Sequence, residues 1–343
     1  MRAHALIPAA IAAAVAVTLC AHPAAAQSVA DFYKRTELSL YVGSGAGGGF
    51  DVYARTLQRH YARHIPGTPN VVVKNMPGAS GLKAINFIDG VAPRDGSAIL
   101  ASFNTVVMDH LYGKPGVAFD PRELSWIGSI GKQTGTCMVW HTVPVKSIDD
   151  VRTREVLVGA TGADSTPNIF PKLLNAMIGT KFKIIEGYTT SGLRLAVERG
   201  EIEGLCGIAW ETHMASSPGW IIDKQVNFLL QLGLEKSAHL PGVPLALDLI
   251  KNPDDRQVWE LLVTSQEFGR PFVAPPKLPA DRLQALRAAF EETMKDPAYL
   301  ADAEKTKQIV DPLTGKEIEA LIRHAYAVPK EIVKRAAVYA VSN

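Results

Sequence analysis

The chain has 343 residues and a nearly balanced charge: 36 Lys and Arg oppose 34 Asp and Glu, for a formal net charge of +2 at pH 7. A nucleic-acid or anionic-membrane partner requires a basic face, so this balance argues against both classes of binding. At roughly 100–200 residues per domain, the length predicts two domains. After residue 26 no segment reaches the roughly 18 consecutive apolar residues of a membrane-spanning helix.

Residues 1–26 have the pattern of a secretory signal peptide. Arg2 gives a positive start, residues 5–19 are apolar, and small residues at 24–26 suit a signal peptidase. We therefore predict cleavage near Ala26 and a mature protein in the periplasm, in preference to an uncleaved membrane anchor.

Strand and helix patterns alternate along the chain. A strand at 37–42 leads through a glycine-rich loop into a helix at 49–64, and the alternation restarts at residue 155. The last third is mainly helical, with helical patterns at 279–295 and 315–338. Strands that alternate with helices predict an α/β fold, here with two mainly parallel sheets flanked by helices.

The loop at 43–51 is the strongest candidate for ligand binding. Five of residues 43–49 are glycine, and the loop lies between a predicted strand and a predicted helix. Glycine lets the backbone approach a ligand closely, and the free N–H groups at the start of the helix favour an anion. Asp51 either caps this helix or contacts a ligand donor, and capping is favoured.

A second loop, at 159–167, repeats this arrangement in the other half of the chain. Small residues follow a strand, Ser165 and Thr166 offer hydroxyls, and a helix begins. Open α/β sheets bind ligands beyond the carboxyl ends of their strands. The two helix N-termini are therefore expected to face each other across a cleft.

Gly43, Gly45 and Gly48 also match the dinucleotide fingerprint G-x-G-x-x-G. That fingerprint needs an acidic residue about 20 positions further on, where this sequence has Lys74 and Asn75. Export would also separate the protein from cytoplasmic nicotinamide cofactors. An exported nicotinamide-dependent oxidoreductase is thus a less favoured alternative.

The remaining cysteines and histidines leave the chemistry open. Cys137 and Cys206 lie on predicted strands, where they form either a disulfide or two buried apolar side chains. His60 and His64 have the spacing of a metal pair, but no third ligand is evident, and a solvated basic face is the favoured interpretation. Because no standard catalytic signature occurs, we expect no enzyme activity and no metal or organic cofactor.

The order of several motifs resembles the substrate-binding proteins of tripartite tricarboxylate transporters, also called the Bug family. Residues 47–55, GGGFDVYAR, are similar to the family segment P-G-G-x-x-D-x-x-A-R, and residues 72–81, VVKNMPGASG, are similar to V-x-N-x-P-G-A-x-G. Further matches at 95–96, 119–121 and 240–244 fall in family order. The resemblance covers essentially the whole mature chain.

This resemblance implies a two-domain periplasmic-binding-protein fold of the type II, Venus flytrap kind. The first domain would comprise residues 27–131 together with 246–343, and the second would comprise residues 132–245. A monomer of this kind would bind a small carboxylate (a di- or tricarboxylate, an aromatic acid or an amino acid) and deliver it to a two-component membrane permease. A ligand-sensing receptor of the same fold, read by a two-component system, is the alternative.

The resemblance also implies the ligand contacts. By motif position they are Ala46, Gly47, Gly48, Phe50, Asp51, Ser80, Ser102 and Asn104 in the first domain, and Gly162, Asp164, Ser165, Thr166, Tyr188, Thr189, Thr190, Trp210 and Glu211 in the second. Asp164 departs from the family pattern, as do Ala46 and the pair Thr189–Thr190. If Asp164 and Glu211 both face the cleft, a ligand with a cationic amine is expected.

Overall fold

The computed structural model describes residues 28–341, so the predicted signal peptide lies outside the described residues. The strands form two separate sheets, one from strands within residues 38–129 and 271–314 and the other from strands within residues 135–232. The strands are β1 (Leu38–Val42), β2 (Val71–Asn75), β3 (Ala98–Ala101), β4 (Ser125–Ser129), β5 (Gly135–Trp140), β6 (Val156–Gly159), β7 (Phe182–Ile185), β8 (Gly204–Ala209), β9 (Val226–Leu232), β10 (Pro271–Ala274) and β11 (Leu313–Thr314).

Helices flank both sheets, and none within the described residues is long and apolar enough to cross a bilayer. They are α1 (Val29–Arg35), α2 (Gly49–Tyr61), α3 (Leu82–Gly90), α4 (Val106–Asp109), α5 (Ile148–Thr153), α6 (Thr166–Ile178), α7 (Thr190–Glu198), α8 (Trp210–Ser216), α9 (Pro218–Ile222), α10 (Ala246–Leu249), α11 (Pro253–Val263), α12 (Ser265–Phe268), α13 (Ala280–Lys295), α14 (Pro297–Lys305), α15 (Gly315–Tyr326) and α16 (Lys330–Ala340), with short 3₁₀ turns at Ala62–His64 and Ala79–Gly81.

The first sheet has the order β11-β4-β10-β3-β1-β2. Strand β1 pairs in parallel with β2 and β3, whereas β10 enters from the C-terminal part and pairs antiparallel with β3 and β4. All four residues of β3 and of β10 are buried, as expected for central strands covered on both faces.

The second sheet has the order β7-β6-β8-β5-β9, with β6 parallel to β7 and β8 and with β5 antiparallel to β8 and β9. The predicted two-sheet α/β architecture is confirmed, but each sheet is mixed rather than mainly parallel. The reason is that β5 and β10, which follow the two connections between the sheets, run against their neighbours.

The helical pattern predicted at 315–338 is two helices rather than one. Helix α15 ends at Tyr326, and α16 begins directly after Pro329. Proline has no backbone N–H and its ring blocks the preceding turn, so it interrupts a helix but is well suited to the start of the next one.

Two connections between the sheets, residues 130–134 and 264–270, run side by side; we call them the crossover segments. The N–H of Ile130 donates to the carbonyl of Arg270 (3.4 Å) and the N–H of Gln133 to that of Gln266 (3.0 Å). Gly269 has φ of 59°, and a Cβ there would lie 1.6 Å from the carbonyl oxygen of Gly131. Only glycine fits this crossing.

His60 and His64 do not form a solvated basic face. His60 Nε2 lies 2.9 Å from Asp302 Oδ2, and His64 Nε2 lies 2.9 Å from Asp296 Oδ2, so both histidines join α2 to α14 or its N-cap. The interpretation from sequence was wrong here because the two carboxylates lie more than 200 positions away. No group of three metal-ligating side chains occurs within residues 28–341.

Cys137 on β5 and Cys206 on β8 are register partners and form a disulfide. The crosslink joins two adjacent strands of the second sheet across a sequence separation of 69 residues. Closing a loop of this length restricts the unfolded chain, which stabilises the folded state.

Replacing both cysteines, in a Cys137→Ala/Cys206→Ala variant, should lower the free energy of unfolding by about 2–4 kcal/mol. Urea denaturation measures this difference. Wild-type protein that is reduced before unfolding should lose a similar amount, and equal stability of the oxidised protein and the double variant would contradict the expectation.

His213 is a buried titratable group in the core of the second sheet. Its ring lies 6.4 Å from that of Trp220 and 6.1 Å from that of Phe228, and its Nε2 has no hydrogen-bond partner. Burial, aided by the charge of Arg194, lowers the pKa of His213 from 6.5 to about 4.

The unfolded chain therefore binds a proton at His213 between pH 6.5 and pH 4 while the folded protein does not. Above pH 6.5, His213 does not lower the free energy of unfolding. Below pH 6.5, it lowers the free energy of unfolding by about 1.4 kcal/mol for each pH unit of acidification. In urea unfolding from pH 7 to pH 4, His213→Phe should lose this slope relative to wild type. The same change at exposed His324 should keep it, and an unaltered slope in His213→Phe would contradict the assignment.

Candidate functional site

Two adjoining cavities lie between loops of the two sheets. The inner cavity has a volume of about 110 Å³ and is lined by Ser44, Gly48, Gly49, Phe50, Ser80, Phe103, Asn104, Thr105, Gln133, Thr161, Ser165, Thr166, Pro167, Thr190, Gly207, Ile208, Ala209, Thr212 and Gln266. The outer cavity, of about 450 Å³, is lined by Gly43, Ser44, Gly45, Ala46, Gly48, Pro77, Gly78, Ser80, Gly81, Phe103, Thr161, Thr189, Thr190 and Ser191.

The cavity walls carry no charged side chain. Among the described residues that line either cavity, every polar side chain is a hydroxyl or a carboxamide. Electrostatic attraction for a ligand must therefore come from backbone dipoles and from charges behind the wall.

Helices α2 and α6 begin at the inner cavity. Gly48 is the N-cap of α2 and has no side chain; Ser165 is the N-cap of α6, but its Oγ donates to the carbonyl of Gly162 (2.6 Å) instead of accepting from the helix. Free first-turn N–H groups and the positive end of a helix dipole favour an anion. The cavity is therefore suited to a carboxylate.

Asp51 holds the glycine loop in place. Its Oδ2 accepts hydrogen bonds from the N–H of Gly47 (2.8 Å) and from Arg55 (2.9 Å), and its Oδ1 accepts one from Asn75 (2.8 Å). Burial alone would raise the pKa of Asp51, but the hydrogen bonds from Arg55, Asn75 and Gly47 outweigh it and lower the pKa. The carboxylate thus positions the loop that precedes α2.

Ser80 reaches both cavities from an unusual backbone turn. Residues 78–81 all have positive φ, including the non-glycine Ala79 (45°) and Ser80 (50°). A Cβ on Gly81 would lie 2.5 Å from the ring of Phe103. The ring centroids of Phe103 and Phe50 are 4.5 Å apart. Such backbone conformations cost energy and persist where the surroundings hold them, commonly at ligand sites.

Arg270 supplies a positive charge behind the cavity wall. It is 3% exposed, its guanidinium lies 3.9 Å from the ring centroid of Tyr53, and its Nη2 donates to Thr212 (3.2 Å). Its Nη1 lies 3.4 Å from where a Cβ of Gly49 would be. The charge therefore adds to the positive potential at the start of α2 without lining either cavity.

Asp164 pairs with a lysine across the cleft. Lys114, which lies between α4 and β4, is 3.1 Å from Asp164 and 3.2 Å from Asp109. Burial raises the pKa of Asp109 to about 6, although Lys114 acts in the opposite direction. The Lys114–Asp164 pair joins a loop of the first sheet to a loop of the second.

Comparison with known proteins identifies the family. The family model for the tripartite tricarboxylate transporter family receptor matches residues 53–337. This chain belongs to that receptor family. It is also 27% identical over 309 residues to a Cupriavidus necator protein described as UPF0065 protein in gbd 5'region, covering 87% of this chain and 86% of that protein.

Solved structures show the same fold. The periplasmic binding protein BugD has a TM-score of 0.70 at 15% identity, covering 90% of this receptor and 99% of BugD. A protein of R. palustris, solved with adipate, has a TM-score of 0.69 at 15% identity, covering 91% of this receptor and 100% of that chain. The predicted type II periplasmic-binding fold is confirmed, and members of this kind are periplasmic solute-binding proteins.

Ten of the predicted contact residues line the inner cavity, the outer cavity or the small cavity that contains Gly47, and Asp164 lines a further small cavity that shares Thr105 and Thr166 with the inner one. Most line the inner or outer cavity, and Gly47 lines a smaller one beside them, which shares Thr190 and Thr212 with the inner cavity. The ten are Ala46, Gly47, Gly48, Phe50, Ser80, Asn104, Ser165, Thr166, Thr189 and Thr190.

The other seven predicted residues, Asp51, Ser102, Gly162, Asp164, Tyr188, Trp210 and Glu211, line neither the inner nor the outer cavity. Ser102 Oγ donates to the carbonyl of Phe103, and Trp210 packs against Phe228 and His239. Glu211 accepts from the N–H of Thr134 (3.0 Å), and burial raises its pKa. Of the two acids, Asp164 lines a small cavity at the cleft and pairs with Lys114, whereas Glu211 lines none of the cavities at the cleft.

Several lining residues were missed from sequence. Thr105, Thr161 and Thr212 carry no motif, and Gln133 and Gln266 lie on the crossover segments. Only the polar character of residues after β3 and β6 could have indicated the first two, because ligands bind beyond the carboxyl ends of such strands.

Replacing the interdomain acid, in Asp164→Asn, should weaken ligand binding about fivefold, equivalent to about 1 kcal/mol, because one ion pair that holds the two halves together is lost. Lys114 keeps Asp109 as a partner, so the fold should persist. Asp109→Asn is the matched control: it removes a Lys114 partner on the same side of the cleft and should change affinity less. Equal effects of the two variants, measured by calorimetry, would contradict a role across the cleft.

Proposed function

We propose that this receptor binds a small carboxylate in the inner and outer cavities and delivers it to a two-component membrane permease. The family supports a receptor role in transport, and the related R. palustris protein was solved with the dicarboxylate adipate. The receptor would act as a monomer in the periplasm after removal of residues 1–26, without catalysis of its own.

One observation carries the proposal: α2 and α6, from opposite sides of the cleft, both begin at a cavity whose lining contains no carboxylate. An anion there is not repelled by the wall, and it meets two positive helix ends together with hydroxyls of Ser44, Ser80 and Thr166. The buried charge of Arg270 adds to the same attraction.

The proposed motion is closure of two domains about the crossover segments. We assign the strands before residue 130 and after residue 270 to the first domain and the strands between the crossover segments to the second, which puts the second boundary at 264–270 rather than at residue 245. Because the two crossover segments run side by side between the sheets, a small backbone rotation in them changes the width of the cleft. Ligand that touches both walls would favour the narrow arrangement.

A thermal-shift panel of mono-, di- and tricarboxylates and amino acids tests the proposal. At a hundredfold excess over its Kd, a true ligand stabilises the protein by about 2.7 kcal/mol. Gly48→Val should abolish this shift, because its side chain would occupy space where the ligand meets the backbone. The variant should fold, since a Cβ at Gly48 meets its nearest atom, the carbonyl oxygen of Gly45, at an ordinary 3.5 Å.

Gly242→Val serves as the matched control, because a Cβ at Gly242 meets nothing within 4 Å and the residue lines neither cavity. It should keep the full shift. Absence of any shift across the panel, or a full shift in Gly48→Val, would contradict carboxylate binding at this cleft.

A further inference from the structure

The inner cavity contains two buried glutamines with unused hydrogen-bonding atoms. Gln133 is 8% exposed and Gln266 is 2% exposed, and both line the inner cavity but not the outer one. Gln133 Nε2 and Gln266 Oε1 have no hydrogen-bond partner. A buried polar atom without a partner is costly, so such atoms in a cavity wall indicate a group that a ligand completes.

The backbone holds both side chains in position. The N–H of Gln133 donates to the carbonyl of Gln266 (3.0 Å), and the N–H of Gly269 donates to the same carbonyl (3.0 Å). The two carboxamides therefore project from neighbouring, hydrogen-bonded segments. They present one donor and one acceptor to the same space.

The charged groups around this part of the cavity are only partly paired. Asp164 pairs with Lys114, and Glu211 accepts from the N–H of Thr134. Arg270 lies behind Gly49 and donates through Nη2 to Thr212, while its Nη1 has no partner. None of these charged groups lines the inner cavity, so a carboxylate placed against the glutamines would directly contact neutral amides in the wall, which compensate a buried charge poorly.

A neutral hydroxyl or carboxamide satisfies both glutamines. It can accept from Gln133 Nε2 and donate to Gln266 Oε1, and each side-chain amide can exchange its donor and acceptor by a half turn. An apolar group of the same size leaves both atoms unpaired. A site built to hydrogen-bond a hydroxyl strongly rejects an analogue that lacks it.

We propose, on the basis of the carboxylate-binding function above, that this receptor selects small monocarboxylates with a neutral hydrogen-bonding group at the far end. The carboxylate binds at the starts of α2 and α6. Gln133 and Gln266 bind the neutral group and determine specificity against dicarboxylates and apolar acids.

Calorimetry with two matched ligand series tests this selection. The first series is 4-hydroxybutanoate, pentanoate and glutarate, and the second is 5-hydroxypentanoate, hexanoate and adipate. Within each series the methylene chain is constant and only the far end changes. In at least one series the hydroxy acid should bind at least about tenfold more tightly than both partners.

Gln133→Met and Gln266→Met should each reduce the preference for the hydroxy acid over the methyl-terminated acid to about threefold or less, because each removes one hydrogen bond. Affinity for the methyl-terminated acid should be retained, which shows that the variants fold. Gln308→Met is the matched control: Gln308 is buried and its Oε1 also lacks a partner, but it lines neither cavity. It should keep the full preference.

The outcomes separate the two proposals. Equal or tighter binding of glutarate and adipate overturns the selection for a neutral group while carboxylate binding stands. A hydroxyl preference that survives in both glutamine variants also overturns it. If no acid in either series binds, and none in the wider carboxylate panel shifts the Tm, the proposed function itself fails.

Discussion

The cleft depends on backbone amides at helix starts that are left without a capping side chain. Ser, Thr, Asp and Asn side chains are preferred partners for first-turn N–H groups, and six of the sixteen helices within residues 28–341 are capped in this way, among them α11, α14 and α15 through Asn252, Asp296 and Thr314. At α2 the N-cap is a glycine, and at α6 the serine hydroxyl is used elsewhere. The molecule thus lacks this local stabilisation at both of these helices beside the cavity.

Several other features keep those helix starts in place. Asp51 ties the glycine loop to Arg55 and Asn75, the ring of Phe103 fills the space over Gly81, and Arg270 places a buried cation behind Gly49. Asp51 is hydrogen-bonded outside the cavity, whereas Arg270 donates to the lining residue Thr212 and has no partner at Nη1. Because neither of these charged side chains lines the inner or the outer cavity, the wall is neutral while the electrostatic potential inside the cavity stays positive.

The sequence was sufficient for the architecture and for the first half of the site. Clustered glycines between a strand and a helix located the loop at 43–49, and the motif at 72–81 located Ser80, because both are local patterns. The direction of each strand relative to its neighbours does not follow from local sequence: β10 inserts between β3 and β4 from more than 140 positions away. The mixed sheets could not be foreseen from alternation of strands and helices alone.

The same limit explains the missed and misplaced site residues. Gln133 and Gln266 share no motif and meet only because the crossover segments run side by side. The pairing of Asp164 with Lys114, 50 positions earlier, gives no signal in a linear pattern. Arg270 was missed for a similar reason, since its role depends on the packing of Tyr53 and Thr212 around it.

The ion pair between Lys114 and Asp164 has a further consequence for transport. It consists of protein atoms alone, so it draws the two halves together regardless of cargo. An ion pair of this kind favours the closed conformation even without ligand, so part of the unliganded receptor population is closed. A membrane partner that recognised only the closed conformation would then also bind receptors without ligand. Recognition of the ligand-bound form therefore requires surface features other than the degree of closure.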